Sequence, residues 1–266
     1  MPLAVCATPI GNLEDITLRV LTELREADVV LAEDTRHTRG LLERHGIRAK
    51  LLSYHEHNEA ARVAELLPRL AGGERIALVS DAGMPGVSDP GGRLVRAALD
   101  EGIEVTVLPG PSAVETALVA SGLAGGRYAF VGFLPRKAAE LAALWRETAA
   151  WECPVVAFES PHRLSAALRS LAAFDPDREV AVCRELTKRF EEVVRGTAAE
   201  LAERLAEPPK GEVTLVVGAG TTATDPEGAR QAVADLVAAG TPRGAAAEVV
   251  ARLTDTSRND LYRGSL

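Results

Sequence analysis

The chain has 266 residues, a net charge of −8, and 47% apolar against 26% charged residues. These are globular proportions in a chain long enough to bury a core without disulfides or metal, which excludes a mostly disordered protein. No stretch reaches the roughly 20 uninterrupted apolar residues of a membrane helix. The start, MPLAVCATPIGN, has no basic residue ahead of its short apolar run and does not read as a secretory signal. Cys6, Cys153 and Cys183 lack metal-ligand spacing and lie in or beside apolar runs, so free thiols of a cytoplasmic protein are expected. Residues 1–126 carry 12 Lys and Arg against 18 Asp and Glu, residues 127–218 carry 13 against 14, and the rest 5 against 6. Nucleic acid would therefore have to be met by a local basic patch rather than by the whole molecule.

In the first half, short apolar runs alternate with amphipathic stretches. Strands are expected at Leu3–Ala7, Val29–Ala32, Leu51–Ser53, Ile76–Ser80 and Val105–Leu108, and helices at Leu18–Glu26, Arg36–His45, Glu59–Leu70, Gly92–Asp100 and Ala113–Ser121. Thr17 is placed to cap the first helix, and Gly46, Gly72, Gly102 and Gly122 end the other four. This alternation, with continuously apolar strands, means a parallel sheet covered on both faces. The second half changes rhythm, with strands at Tyr128–Phe133, Val155–Phe158, Glu179–Cys183, Phe190–Arg195 and Val213–Val217, and helices at Ala138–Ala150, Arg163–Ala173 and Ala198–Leu205. The two strands adjacent in sequence predict an antiparallel hairpin in a mixed sheet. The run SGLAGGR at 121–127 reads as a linker. The expected organisation is α/β, with one domain over 1–122, a second over 123–220, and a small helical module over 221–266. In that module Thr221–Pro226 is a polar loop, followed by helices at Glu227–Ala239, Arg243–Leu253 and Ser257–Arg263.

Ligands of a parallel sheet sit beyond the carboxyl ends of its strands. Three Gly/Pro-rich loops begin there: Ala7–Asn12, Ser80–Gly92 and Pro109–Ala113. Their glycines allow close backbone approach to a ligand. There is no Gly-x-x-x-x-Gly-Lys-Ser/Thr run, the first loop is not Gly-x-Gly-x-x-Gly, and no Lys or Arg occurs in the three loops before Arg93. A polyphosphate is thus disfavoured and an uncharged or cationic nucleoside favoured. Asp81 could accept from ribose hydroxyls, balance a cation, or serve as a turn carboxylate.

Nine runs in order carry a resemblance: ATPIGNLEDITLR (7–19), AEDTRHTRGLL (32–42), SYHEHNE (53–59), VSDAGMPGVSDPG (79–91), LPGPSA (108–113), GFLPRK (132–137), FESPHRL (158–164), RELTKRFEEVVRGT (184–197) and PKGEVTLVV (209–217). Together they closely resemble the ribosomal RNA small subunit methyltransferase I family of the tetrapyrrole methylase superfamily, over residues 3–217. SRNDLY (257–262) resembles the end of that family's helical tail. The resemblance implies two α/β domains of the tetrapyrrole methylase type, S-adenosylmethionine in the cleft between them, and a homodimer. It implies as acceptor the ribose 2′-oxygen of a cytidine in the decoding region of small-subunit ribosomal RNA, free or in the assembled subunit. Met84 departs from the family's usual Thr. Expected donor-binding residues are Pro9, Ile10, Gly11, Ser80, Asp81, Ala82, Gly83, Ser112, Ala113 and Glu159.

A ribose hydroxyl is a poor nucleophile at neutral pH, so its methylation needs in-line positioning and proton removal, but no metal. Lys188 and Glu185, at the end of the expected strand Glu179–Cys183, are the catalytic candidates. Lys188 would orient the hydroxyl, or act as base with a lowered pKa; Glu185 would take a proton or hold Lys188. His55 and His57 flank Glu56 with no third metal ligand evident, leaving RNA contact, base chemistry or capping. Arg36 either meets substrate or belongs to a helix cap. Arg136, Lys137, Arg163, Arg184 and Arg189, with Lys188, form the candidate phosphate-binding patch. Methyl transfer to a tetrapyrrole carbon and non-catalytic, ligand-dependent RNA binding are the alternatives.

Overall fold

The computed structural model describes residues 2–220, 226–254 and 256–264. The chain divides into two compact units, Met1–Gly220 and Thr221–Leu266. In the first unit β1 (Leu3–Cys6), β2 (Val29–Ala32), β3 (Leu51–Ser53), β4 (Ile76–Leu78) and β5 (Val105–Leu108) alternate with α1 (Leu18–Glu26), α2 (Thr35–Arg44), α3 (Glu59–Ala71), α4 (Gly92–Asp100) and α5 (Ala113–Ser121). The strands pair in parallel, in the order β3-β2-β4-β1-β5. The three central strands are buried at every position, which is why their sequences are apolar without alternation. Leu3, Val5, Leu31 and Ile76 face a layer that includes Leu66, Leu70 and Leu94, whereas Ala4, Cys6, Val30 and Ala32 face Val20, Leu24 and Leu41.

Two boundaries differ from expectation for local reasons. β4 stops at Leu78 rather than Ser80, and the Ser80 hydroxyl turns back to donate to the carbonyls of Ala82 and Gly83. α2 starts at Thr35 because Asp34 caps it, accepting from the Arg36 N–H at 2.8 Å.

A second sheet follows, from β6 (Ala129–Phe133), α6 (Ala138–Thr148), β7 (Val155–Glu159), α7 (Pro161–Phe174), β8 (Glu179–Arg184), β9 (Glu192–Thr197), α8 (Ala198–Arg204) and β10 (Val213–Val217). Its order is β6-β7-β10-β8-β9, with β6 and β7 parallel and the remaining pairs antiparallel. The hairpin expected from sequence is β8–β9. Its second strand starts at Glu192 rather than Phe190, after a loop that holds Glu185 at φ 51° and Thr187 at φ 64°. One face of this sheet packs on α6–α8 through Trp145, Leu164, Leu168 and Leu201. The other face, with Val156, Ala181, Cys183 and Val216, packs on Val114, Ala117 and Leu118 of α5 and on Ile10 and Leu186. α5 and the first loop therefore join the two sheets.

The second unit contains α9 (Pro226–Ala238), α10 (Arg243–Thr254) and α11 (Arg258–Gly264), packed through Ala229, Val233, Ala246, Val250 and Leu261. The polar loop expected from residue 221 falls on 221–225, outside the described residues. Among the described residues, no helix is long and apolar enough to cross a membrane. The three cysteines are free, and burial pushes the thiols of Cys6 and Cys183 up to about 12 and about 11.

Candidate active site

β4, β1 and β5 are neighbours in the first sheet, so the three Gly/Pro-rich loops that follow them emerge side by side. They are stitched together. Thr8 and Gly83 exchange backbone hydrogen bonds of 2.8 and 3.0 Å, and the Thr8 hydroxyl donates to the Ser80 carbonyl at 3.0 Å. Gly83 makes this turn at φ 78°, a conformation that disfavours any side chain. Facing them is one edge of the second sheet, where Glu159, Val213 and Arg184 lie in register at the ends of β7, β10 and β8.

Between these walls lies a cleft of about 400 Å³. From the expected donor-binding set it is lined by Ile10, Asp81, Ala82, Gly83, Ser112, Ala113 and Glu159. Size and apolar walls suit a small organic ligand. The charged side chains of the lining are all acidic: Asp81, Asp89, Glu159 and Glu212, with no Lys or Arg among them. The Asp81 carboxylate accepts from the Asp34 N–H at 3.0 Å. Burial, then the neighbouring Glu33 and Asp81, raise the Asp89 carboxyl from its ordinary 3.8 to about 6, against a hydrogen bond from Ser80. Burial and Asp81 likewise raise Glu33, which His55 partly offsets. Glu159, with its side chain 2% exposed, is held by Arg163 through two bonds of 2.8 and 2.7 Å. Such a cleft fits a cation with an apolar body, and repels polyphosphate.

Three expected donor-binding residues lie elsewhere. Pro9 is buried within the first loop, Ser80 is buried in its hydrogen bonds to the loop backbone, and Gly11 faces the second sheet. A Cβ on Gly11 would stand 2.5 Å from Lys188 Cγ and 2.9 Å from the Leu186 carbonyl oxygen. Gly11 is thus required by chain-to-chain approach.

Lys188 and Glu185 are also outside this cleft. Lys188 borders a neighbouring depression with Gly11, Asn12, Arg44 and Arg189. Its ammonium donates to Glu185 and to Glu212, both at 2.9 Å, and Glu212 does line the main cleft. Burial opposes the ammonium, but the two carboxylates outweigh it and raise the Lys188 pKa. The lowered pKa that a lysine base requires is therefore absent, and Lys188 is a charged, positioned group. Glu185 is held ionised, its pKa lowered first by the Glu212 backbone N–H and then by Lys188.

Most of the expected phosphate patch is tied up in ion pairs. Arg163 serves Glu159 and the Leu134 carbonyl, Arg184 serves Glu192 and the Lys210 carbonyl, and Lys137 pairs with Glu140; outside that patch, Arg36 folds onto Asp34 within the α2 cap. Arg136 is exposed with no ion pair among the described residues, and Arg189 lies over the Phe190 ring at 5.5 Å. The His55 ring engages Asn58 at 3.1 Å, with Nδ1 buried and unpartnered, and His57 is exposed. Neither histidine lines the cleft, and among the described residues no acidic, His and Cys cluster has metal-binding geometry.

Sequence reasoning passed over Asp89, Phe133, Phe158, Leu186 and Glu212, all on the cleft wall. Asp89 lies only six residues beyond Gly83, in the same loop, and was legible as part of VSDAGMPGVSDPG. Phe133 and Glu212 reach the cleft only through sheet pairing. Met84 also lines the cleft while packing against the first core.

Comparison with known proteins agrees with this architecture. Residues 2–202 match the Tetrapyrrole (Corrin/Porphyrin) Methylases. The chain is 44% identical to the ribosomal RNA small subunit methyltransferase I of Mesorhizobium japonicum, over 98% of this chain and 90% of that protein. Its counterparts of the same name from Thermotoga maritima and Synechocystis sp. are 46% and 43% identical, over 81% and 99% of this chain and 97% of each relative. Among solved structures, uroporphyrin-III-C-methyltransferase from Thermus thermophilus superposes with a TM-score of 0.57 at 25% identity, over 81% of this chain and 93% of that one. Diphthine synthase superposes with a TM-score of 0.63 at 20% identity, over 82% and 90%, a likeness of fold.

Proposed function

The chain belongs to the ribosomal RNA small subunit methyltransferase I family of tetrapyrrole methylases, and from that premise we propose that it methylates small-subunit ribosomal RNA from S-adenosylmethionine, at the ribose 2′-oxygen of a cytidine in the decoding region. The observation that carries the reading is the identity of 42–46% over most of the chain to proteins bearing that name. The acidic, apolar-walled cleft supports the donor, whose sulfonium and ammonium groups are cationic. We further place the protein in the cytoplasm as a homodimer, on the family resemblance.

S-adenosylmethionine, when bound, would supply an electrophilic methyl group on its sulfonium, with a neutral thioether as the leaving group. Asp81, with the backbone of Ala82–Gly83 and Ser112–Ala113, would hold it, while Arg163 fixes the Glu159 side chain in the wall. The protein must also orient a weak nucleophile and accept its proton. Lys188 orients from the cleft margin as an ammonium and fixes Glu212; the carboxylates of the wall are the available proton acceptors. Arg136 and Arg189 supply phosphate contacts that the overall charge denies.

The test is transfer of labelled methyl from S-adenosylmethionine to unmodified small-subunit RNA, free and in assembled subunits, followed by nucleoside analysis. 2′-O-methylcytidine is expected. Label on a tetrapyrrole, or RNA binding without turnover, returns one of the two alternatives. Asp81→Ala should weaken donor binding by calorimetry about tenfold or more, as loss of a charge-assisted contact does; unchanged affinity would move the donor out of this cleft.

A further inference from the structure

Phe133 is 63% exposed, yet it lies in a strand and on the wall of the cleft. It reaches that wall by an irregularity. β6 pairs with β7 at Phe130↔Val156 and Phe133↔Phe158, so three residues of β6 span what two residues of β7 span. The extra residue is a β-bulge, and such bulges re-aim side chains. In a regular strand, residues three apart point to opposite faces, and Phe133 would have entered the core between the sheet and α6–α8. The bulge, turning at Gly132 with φ 70°, instead brings Phe130 and Phe133 to the same face. There both rings meet Phe158 edge-on, at 5.0 and 5.5 Å with interplanar angles of 64° and 63°.

The arrangement does little for burial, since the ring that the bulge redirects ends mostly in solvent. What it does produce is a braced aromatic surface at the margin of the cleft. Across from it lies Ser88, whose Oγ is 3.6 Å from where a Gly132 Cβ would be, and which is itself at φ 62°. Positive-φ residues on both sides of one gap mark a constrained, built margin rather than a loose loop. Three residues along, Arg136 is exposed and suited to a phosphate. An exposed, fixed ring with a cation a few residues along the chain is the usual equipment for holding an unstacked base by its face.

We propose that Phe133 is the stacking platform for the base of the acceptor nucleotide, a positioning residue that sets the ribose relative to the donor cleft. This rests on the reading of the protein as a ribosomal RNA methyltransferase.

The test compares Phe133→Leu, which keeps an apolar side chain, with Phe133→Tyr, which keeps the ring. Donor affinity is measured by calorimetry, oligomeric state by light scattering, and kcat and KM on unmodified small subunits. Phe133→Leu should lower kcat/KM roughly 10- to 100-fold, mainly through KM, while Phe133→Tyr stays within about threefold of wild type. Donor affinity and oligomeric state should be unchanged in both. Full activity in Phe133→Leu, a loss in Phe133→Tyr as large as in Phe133→Leu, a matching loss of donor affinity, or a smaller assembly would each overturn the assignment. Wild-type protein that transfers no methyl to small subunits would overturn the ribosomal RNA reading, and this inference with it.

Discussion

Gly11 and Lys188 approach so closely that a Cβ on the first would stand 2.5 Å from Cγ of the second. The contact ties the loop after β1 to the loop after β8, and the Asn12 N–H adds a 3.0 Å bond to the Thr187 hydroxyl. A side chain at position 11 must push the second loop away, together with the lysine that holds Glu212. Gly11→Ala should therefore lower stability by about 1–3 kcal/mol, as overpacking does. It should slow methyl transfer more than it weakens donor binding. Gly11→Val should act in the same way and more strongly, through the displaced loop. Thermal unfolding and calorimetry check both; an unchanged melting temperature would remove the close approach as a constraint.

Lys188 is a cation between two carboxylates, not a neutral amine. Lys188→Ala should reduce the single-turnover rate at saturating RNA by about 10- to 100-fold, leaving the pH profile in place, because no titrating base is removed. Lys188→Arg should retain part of the rate. A pH–rate profile that loses a limb in Lys188→Ala would restore the lysine as base, and a wild-type rate would make the cluster a solvated surface.

Asp89 binds its proton more tightly in the folded chain than in the unfolded one, its pKa lying at about 6 instead of 3.8. Between these values the native state holds more protons, so the wild type loses stability as pH rises through about 4 to 6, and the loss persists above. Asp89→Asn removes the penalty. It should be more stable than wild type at pH 8 by on the order of 1 kcal/mol, reduced by solvent screening in an open cleft, with the gain vanishing toward pH 4. Urea unfolding at the two pH values gives the comparison. A gain of equal size at both would point to a cause other than titration.

Arg163 stands over a carboxylate that has almost no access to solvent. Arg163→Ala removes both of its bonds to the buried Glu159 side chain and leaves it, among the described residues, only the Ser160 N–H at 2.6 Å, and should cost about 2–4 kcal/mol. Adding Glu159→Gln should recover much of that loss. Urea denaturation of the single and double variants measures the coupling; additive losses would mean that the pair is not what fixes Glu159.

Much of the architecture is local in origin and so was legible in residue order. Continuous apolar runs such as Val29–Ala32 can be satisfied only in a sheet covered on both faces, and Thr17 and Gly122 mark a helix start and a helix end through their own backbone chemistry. The three glycine-rich loops could be assigned to one cleft because strand ends of a parallel sheet share one edge, and the order β4-β1-β5 makes them adjacent. The sequence also carried the family resemblance, which composition and periodicity cannot supply.

Side-chain partnership belonged to the tertiary structure alone. Whether Lys188 is a base or an ammonium depends on Glu212, 24 residues away and brought alongside only by the pairing of β8 with β10. Whether Arg163 meets RNA depends on Glu159, with which it shares a turn of chain but whose burial the sheet imposes. The face that Phe133 occupies depends on a single extra residue in the β6–β7 ladder, and period-2 reading of the sequence sends it to the wrong side. Residue order determines which groups are available and which segments are regular. Charge state, burial and direction are properties of neighbours far apart along the chain, and only folding brings those neighbours together.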